Sequence, residues 1–371
     1  MMGVNMALKR CRKCGLPLQL SKGYVWPGNG VILSRRDPTM RMSIFESDYY
    51  SYVWSELEER LSVNISDIML RGQRAANQDY VENHIIYGWR KFALRHLPLS
   101  LMFKYIANEI ALFGFGNLEL LQHRKRRILA MKVKQPFDAI SLAWGIKGIV
   151  ELAEDMGSEL AWRYEGEDAV FSIQYLPGEG HEEAVELEAM RQIRDAKREL
   201  SLAGKLLPPQ GDRGKPCPSC GLPEALNEMD WREDEGTIRR KDSGKRYIFS
   251  TGHIFIAVIR ELERRTGRDL EPLVITIAKE YQLRSLQGIP VRSRKGAYQA
   301  AARYLFSGGF GEVKDFDCGE GYLEMNIVNP FYIPRLVGRI AGLFEYVEDQ
   351  EADIDYRVSD SNLLELEIKA T

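Results

Sequence analysis

Apolar residues alternate with polar or small ones along two short stretches: Leu129, Met131 and Val133 ahead of Pro136-Phe137, and Leu323, Met325 and Ile327 ahead of Pro330-Phe331. A period of two belongs to a strand with one buried face, so each stretch predicts a strand. A helical period follows each of them. Leu142, Ile146, Ile149 and Ala153 mark a helix over residues 138–156, and Leu336, Ile340, Leu343 and Val347 mark one over 332–350. Two further alternating segments close each region, Leu160, Trp162, Tyr164 with Phe171-Ser172-Ile173, and Ile354, Tyr356, Val358 with Leu364 to Ile368. Each closing pair predicts two adjacent antiparallel strands. Upstream, residues 48–61 and 252–265 read as amphipathic helices, followed by helix-rich stretches that run to Gly114 and Gly309.

This order occurs twice because the chain is internally duplicated. Cys11-Arg-Lys-Cys14-Gly-Leu-Pro17 aligns with Cys217-Pro-Ser-Cys220-Gly-Leu-Pro223 at a shift of 206. Glu56-Leu57-Glu58-Glu59-Arg60 aligns with Glu261-Leu262-Glu263-Arg264-Arg265 at 205, Gly114-Phe115-Gly116 with Gly309-Phe310-Gly311 at 195, and Pro136-Phe137 with Pro330-Phe331 at 194. Gly148 and Gly342 also match at 194, each inside a helix, where glycine costs about 1 kcal/mol against alanine. They are expected to be points where helix and sheet approach closely. The fold class expected is α+β and internally duplicated, each half having helices on an antiparallel sheet plus an N-terminal zinc-knuckle hairpin. The boundaries follow as residues 1–180 for the first knuckle and repeat, 181–216 for a helical linker and 217–371 for the second knuckle and repeat.

In the linker, Val185, Ala189, Ile193, Ala196 and Leu200 form one stripe among Glu, Arg and Lys, which predicts a helix over 182–200. A stripe of barely two heptads favours packing on its own domain, with a homodimeric coiled coil as the alternative. Gly204, Pro208, Pro209, Gly211, Gly214 and Pro216 then break it.

The 371 residues carry 51 Lys plus Arg against 53 Asp plus Glu, a net charge of −2, which removes any global electrostatic case for nucleic acid or an anionic membrane. No signal-peptide pattern precedes Gly15, and the most apolar window, 97–116, is interrupted by Lys104, Asn108 and Glu109, so no membrane insertion and a cytoplasmic location are expected. Four of five cysteines lie in the two C-x-x-C pairs, which fits metal-bound thiolates in a reducing compartment better than disulfides. A C-x-x-C-Gly turn brings two sulfurs to one metal, and a tetrahedral structural zinc needs four. The simplest completion is one zinc shared by Cys11, Cys14, Cys217 and Cys220 across a pseudo-two-fold axis. Two separate zincs completed by other residues, two unliganded thiol pairs, or redox dithiols are the rival readings. Cys318 reads as a bystander.

No Walker motif, dinucleotide loop, catalytic triad or H-E-x-x-H pattern is present, and the five histidines do not recur between the halves. One turn differs in sign between the halves: His123, Arg124, Lys125, Arg126 and Arg127 stand where the second half has Asp315, Asp317 and Glu320. Either both are solvated hairpin tips, or the four basic residues contact an anion, a partner or the acidic turn.

The run from Gly309-Phe310-Gly311-Glu312-Val313 through Tyr322 to Phe331, a glycine-containing helix and two closing strands resembles the 4-vinyl reductase, or hydrocarbon-binding, domain. The first half repeats it from Gly114 to Tyr175. The resemblance implies an α/β fold shared with NO-signalling and Golgi-transport ligand-binding domains, helices packed on an antiparallel sheet, and a cavity for a small apolar or aromatic molecule. Relatives that bind zinc do so in the closing strands, where this chain has Trp162, Tyr164, Tyr356 and Val358, so that site does not transfer. A pocket would draw on the aromatic residues before the glycine motif: Trp89, Phe92, Phe103, Tyr105 and Phe113, and in the second half Tyr298, Tyr304 and Phe306. The function expected is a zinc-stabilised tandem protein that senses or carries a small hydrophobic molecule and acts through a protein partner. The alternatives are an enzyme or accessory subunit acting on an apolar or tetrapyrrole substrate, and an assembly scaffold.

Overall fold

The computed structural model describes residues 8–81, 99–154, 156–176, 183–200, 206–210 and 216–371. The first half runs α1 (Leu18–Gly23), β1 (Tyr24–Val25), β2 (Ile32–Ser34), β3 (Arg41–Glu46), α2 (Ser47–Leu61), α3 (Ser66–Tyr80), α4 (Leu99–Leu112), β4 (Asn117–Arg124), β5 (Ile128–Lys134), α5 (Ala139–Glu154), β6 (Ser158–Glu165) and β7 (Asp168–Tyr175). After α6 (Glu183–Leu200) the second half repeats the order: a 3-10 turn (Glu224–Glu228), β8 (Met229–Arg232), β9 (Thr237–Arg240), β10 (Arg246–Thr251), α7 (His253–Thr266), α8 (Glu271–Leu286), α9 (Arg294–Gly308), β11 (Glu312–Gly319), β12 (Tyr322–Val328), α10 (Ile333–Glu348), β13 (Ala352–Val358) and β14 (Leu363–Ala370). The architecture is α+β with antiparallel sheets throughout.

The late strands of each half form a four-stranded sheet in the same order, β4-β5-β7-β6 and β11-β12-β14-β13. Their alternation is realised in burial: Leu129, Met131 and Val133, like Leu323, Met325 and Ile327, are 0% exposed and face the helices. The early strands instead merge into one six-stranded sheet, β1-β2-β3-β10-β9-β8. At its centre β3 pairs with β10 in a register that sets Ile44 opposite Phe249, residues that a shift of 205 makes equivalent. The pseudo-two-fold axis passes between them. Tyr50 and Phe255, also equivalents, meet across the same axis at 5.4 Å between ring centroids.

Sheet-mediated contact is reinforced by an exchange. Arg41 of β3 donates through Nη1 to the Pro330 carbonyl and through Nη2 to the Asn329 carbonyl, both at 2.8 Å. Its equivalent Arg246 donates to the carbonyls of Gln135, Gly114 and Pro136 at 2.7, 2.9 and 3.2 Å. Each arginine thus binds the strand-to-helix corner of the other half, and burial lowers the two guanidinium pKa values to about 9 and about 10. Backbone bonds repeat the pattern, Gly311 N–H to Gly30 O and Gly116 N–H to Gly236 O, both at 2.9 Å. The packing unit is therefore the strand layer of one repeat with the helices and late sheet of the other. Every contact of this kind is made twice, once by each copy of the duplicated sequence.

Gly148 and Gly342 are close-approach points, but against a helix and not the sheet. A Cβ at Gly148 would lie 2.8 Å from the Arg74 carbonyl oxygen of α3, and one at Gly342 2.8 Å from Gln282 Cβ of α8, with the Lys279 carbonyl closer still. Helix α5 lies on α3 and α10 on α8 too tightly for side chains between them. Gly342→Ala is expected to destabilise the chain by about 1–3 kcal/mol through this overpacking, measured by chemical denaturation. An exposed helical glycine would gain stability on the same change.

Helix α6 packs on α3 and α7 of its own chain, with Ile193 and Ala196 fully buried. Its Lys197 Nζ lies 2.9 Å from Asp79 Oδ2 and 2.5 Å from Asp37 Oδ2, so the connection is anchored to the first half by a buried cation between two carboxylates. No helix among the described residues is long and apolar enough to cross a membrane.

Candidate metal centre and paired cavities

Each C-x-x-C segment is a tight turn. The Gly15 N–H donates to Cys11 O and the Gly221 N–H to Cys217 O, at 2.9 and 2.7 Å, and isolated bridges Arg10 to Pro17 and Pro216 to Pro223 close the two turns. Gly15 and Gly221 adopt φ of 75° and 76°, the left-handed conformation that the reversal requires and that other residues resist. The turns sit on the composite sheet in a cluster that includes Leu16, Leu20, Leu222, Leu226 and Trp231. Arg10 ties the first turn to the second half through Glu233, with Nε to Oε1 at 2.9 Å, and through the Trp231 carbonyl.

The four sulfurs consequently converge. Cys11 Sγ lies 3.9 Å from Cys217 Sγ and Cys14 Sγ 3.5 Å from Cys220 Sγ, and all four lie within 4.8 Å of one another. A tetrahedron with metal–sulfur bonds of about 2.3 Å has S···S edges of roughly 3.8 Å, so the set can hold one metal ion. Cys11 and Cys217 are buried; Cys14 and Cys220 are half-buried. Backbone N–H groups of Cys14 and Lys13 pull the Cys11 thiol down to about 6, and those of Ser219 and Cys220 lower Cys217. Burial raises Cys14, and it pushes Cys220 up to about 12.

Each half also contains a cavity at the same place, between equivalent helices and floored by the composite sheet; in the first, Tyr50 of α2 and His253 and Ile254 of α7 join the wall. The first, about 90 Å³, lies between α3, α4 and α5 above Met42 and Ile248. Its lining is mostly apolar and aromatic, with the Glu109 carboxylate accepting from Tyr80 Oη at 2.8 Å. Burial raises the Glu109 pKa against the effect of that hydrogen bond. The second, about 670 Å³, lies between α8, α9 and α10 above Tyr247 and Glu46. The repeat shifts make Glu109 equivalent to Tyr304, Gly145 to Arg339, Asn77 to Gln282 and Thr251 to Glu46, and each of these residues lines its own cavity. In the second half Arg339 binds Glu46 with both terminal nitrogens, at 2.6 and 2.8 Å, and donates through Nε to Gln282 Oε1 at 2.6 Å. Tyr304 Oη donates to Glu46 Oε2 at 3.0 Å.

Of the aromatic residues expected to line a pocket, Phe113 lines the first cavity and Tyr304 the second. Phe103, Tyr298 and Phe306 are buried away from both, Tyr298 packing against Phe316. Tyr105 is half-buried and accepts from Arg36 Nη1 at 3.2 Å. Trp89 and Phe92 lie outside the described residues. The basic turn Arg124, Lys125, Arg126 and Arg127 stays within its own half, where Arg126 Nε is 4.0 Å from Glu154 Oε2. Among the described residues none of the four forms an ion pair with Asp315, Asp317 or Glu320. Glu46, Arg339, Glu109 and His253 were not expected at a site. For Glu46, Arg339 and Glu109 the signal available was the mismatch between repeats, charged in one half and small or neutral in the other; His253 stands opposite Asp48 and gave no such signal. Compared with protein-family models, curated proteins and solved structures, the chain matches none of them.

Proposed function

We propose that this chain is a non-catalytic ligand-binding protein, its halves clamped by one zinc ion on Cys11, Cys14, Cys217 and Cys220, that senses or carries a small hydrophobic or aromatic molecule and acts through a protein partner. The observation that carries this reading is the recurrence of a helix-walled cavity at the same position in both halves. Duplicated packing alone has no use for a void, since native interiors close nearly all of theirs. The resemblance to the 4-vinyl reductase domain supports the same class of ligand. Four thiolate donors in a closed tetrahedral set favour zinc as a structural ion.

Native mass spectrometry of the protein as purified tests both parts. One metal per chain, identified as zinc by elemental analysis, and an organic adduct released on denaturation are expected. Protein free of adduct that takes up no added 1-naphthol overturns the ligand reading; two metals per chain, or none, overturns the shared zinc.

A further inference from the structure

The two cavities occupy equivalent places but differ in charge, and the difference identifies a ligand class. The acidic groups lining the second cavity are both neutralised within it, Glu46 by Arg339 and Asp242 by Arg240, whose Nε lies 2.9 Å from Asp242 Oδ1. Two lining cations, Lys245 and Arg292, form no ion pair among the described residues; Lys245 Nζ lies 5.2 Å over the Tyr281 ring, and its charge adds to that of Arg339 in holding down the Glu46 carboxyl. The amino end of α9 faces the same space, with Ser293 and Gly296 in the lining, and adds the positive pole of a helix. Beside these charges the wall is apolar, and Ile289 and Val291 stand 51% and 41% exposed on the loop that carries Arg292. Exposed aliphatic side chains beside unpaired cations at the opening of a cavity of about 670 Å³ match a molecule with an oily body and an anionic head. The described lining of the first cavity has the reverse character: among the described residues no Lys or Arg lines it, Glu109 is the one carboxylate, and the repeat places Met40 where the second half has Lys245.

We infer that the second half binds an anionic amphiphile, a carboxylate on an alkyl or aryl body held by Lys245 and Arg292 with its apolar part along Ile289, Val291 and Leu343, and that the first half does not bind it. This rests on the ligand-binding reading above and specifies the ligand of one half. Decanoate, decanol and decyltrimethylammonium share a chain and differ in head charge, and isothermal titration of the metal-loaded full chain with each separates the contributions. Decanoate is expected to bind at one site per chain, at least tenfold tighter than decanol, with decyltrimethylammonium weakest. Lys245→Ala with Arg292→Ala is expected to remove that preference while leaving metal content and the far-ultraviolet spectrum unchanged, because both side chains reach solvent. Ala301→Trp, which fills the cavity, is expected to abolish decanoate binding. Equal binding of decanoate and decanol, two decanoates per chain, or an undiminished preference in the double variant overturns the anionic site while leaving the ligand-binding reading standing. Failure of all three compounds to bind overturns the anionic site, and refusal of 1-naphthol by the same adduct-free protein overturns the ligand-binding reading as well.

Discussion

Serine at both cysteines of either pair, Cys11 with Cys14 or Cys217 with Cys220, is expected to take the chain from one bound metal to none, as read by elemental analysis after gel filtration. The reason lies in how the donors are distributed. Each half supplies two sulfurs, and the equivalent cysteines face each other across the pseudo-two-fold axis at 3.9 and 3.5 Å. Two thiolates on one half cannot close a tetrahedral shell, so losing either pair is equivalent to losing the site. An ion that binds only the folded arrangement stabilises it by mass action. Free metal at a thousand times its dissociation constant contributes about 4 kcal/mol, which in a chain of this size corresponds to a fall of roughly 5–10 °C in Tm when it is removed. Chelation of the wild type is expected to reproduce that fall, and chelation of a serine variant to add nothing. Metal retained after mutation of one pair would show two independent sites.

Arg339→Ala is expected to cost about 3–5 kcal/mol, because it leaves the Glu46 carboxylate buried in the second half's cavity without its partner. The pair joins the strand layer of the first half to α10 of the second, so the loss also loosens the exchanged packing. Burial alone raises the pKa of Glu46, but the Arg339 charge and its hydrogen bonds outweigh burial and hold the carboxyl well below the usual range. A carboxyl depressed in the folded state contributes stability that is present above its unfolded pKa, about 4.3, and is lost as pH falls from there toward the folded value. The wild type is therefore expected to lose stability below about pH 4.5, measured by urea denaturation. Glu46→Gln is expected to flatten that part of the profile, since it removes the titrating group. An Arg339→Ala chain as stable as the wild type at pH 7 would mean that solvent reaches Glu46 in the open cavity.

The local elements were legible because they are written in short-range patterns. Leu129, Met131 and Val133 predict β5 and its buried face by alternation, and the stripe through Ile193 and Ala196 predicts α6. The duplication was legible for the same reason, since equal patterns recur at nearly constant shift. It also led from two incomplete C-x-x-C pairs to one shared set of four sulfurs, because four donors and a two-fold axis leave few other ways to complete a shell. Aromatic residues were a poor guide to the cavities. Phe103 and Tyr298 have the composition of a pocket lining, yet packing places them in the core.

What the sequence by itself determined is thus the repeat, the order of elements within it and the meeting of four sulfurs from the two halves. Only the tertiary structure decided which half packs on which: Arg41 and Arg246 each bind carbonyls nearly 300 and over 100 residues away, contacts that no local period encodes. It also decided that Gly148 and Gly342 admit a helix and not the sheet, because a glycine gives either neighbour room to approach and only the three-dimensional crossing sets them against Arg74 and against Lys279 and Gln282. The unlike charges of the two cavities have the same origin. Glu46 lies far along the chain from Arg339, and a charge pair becomes a cavity floor only when a strand of one repeat is carried beneath the helices of the other.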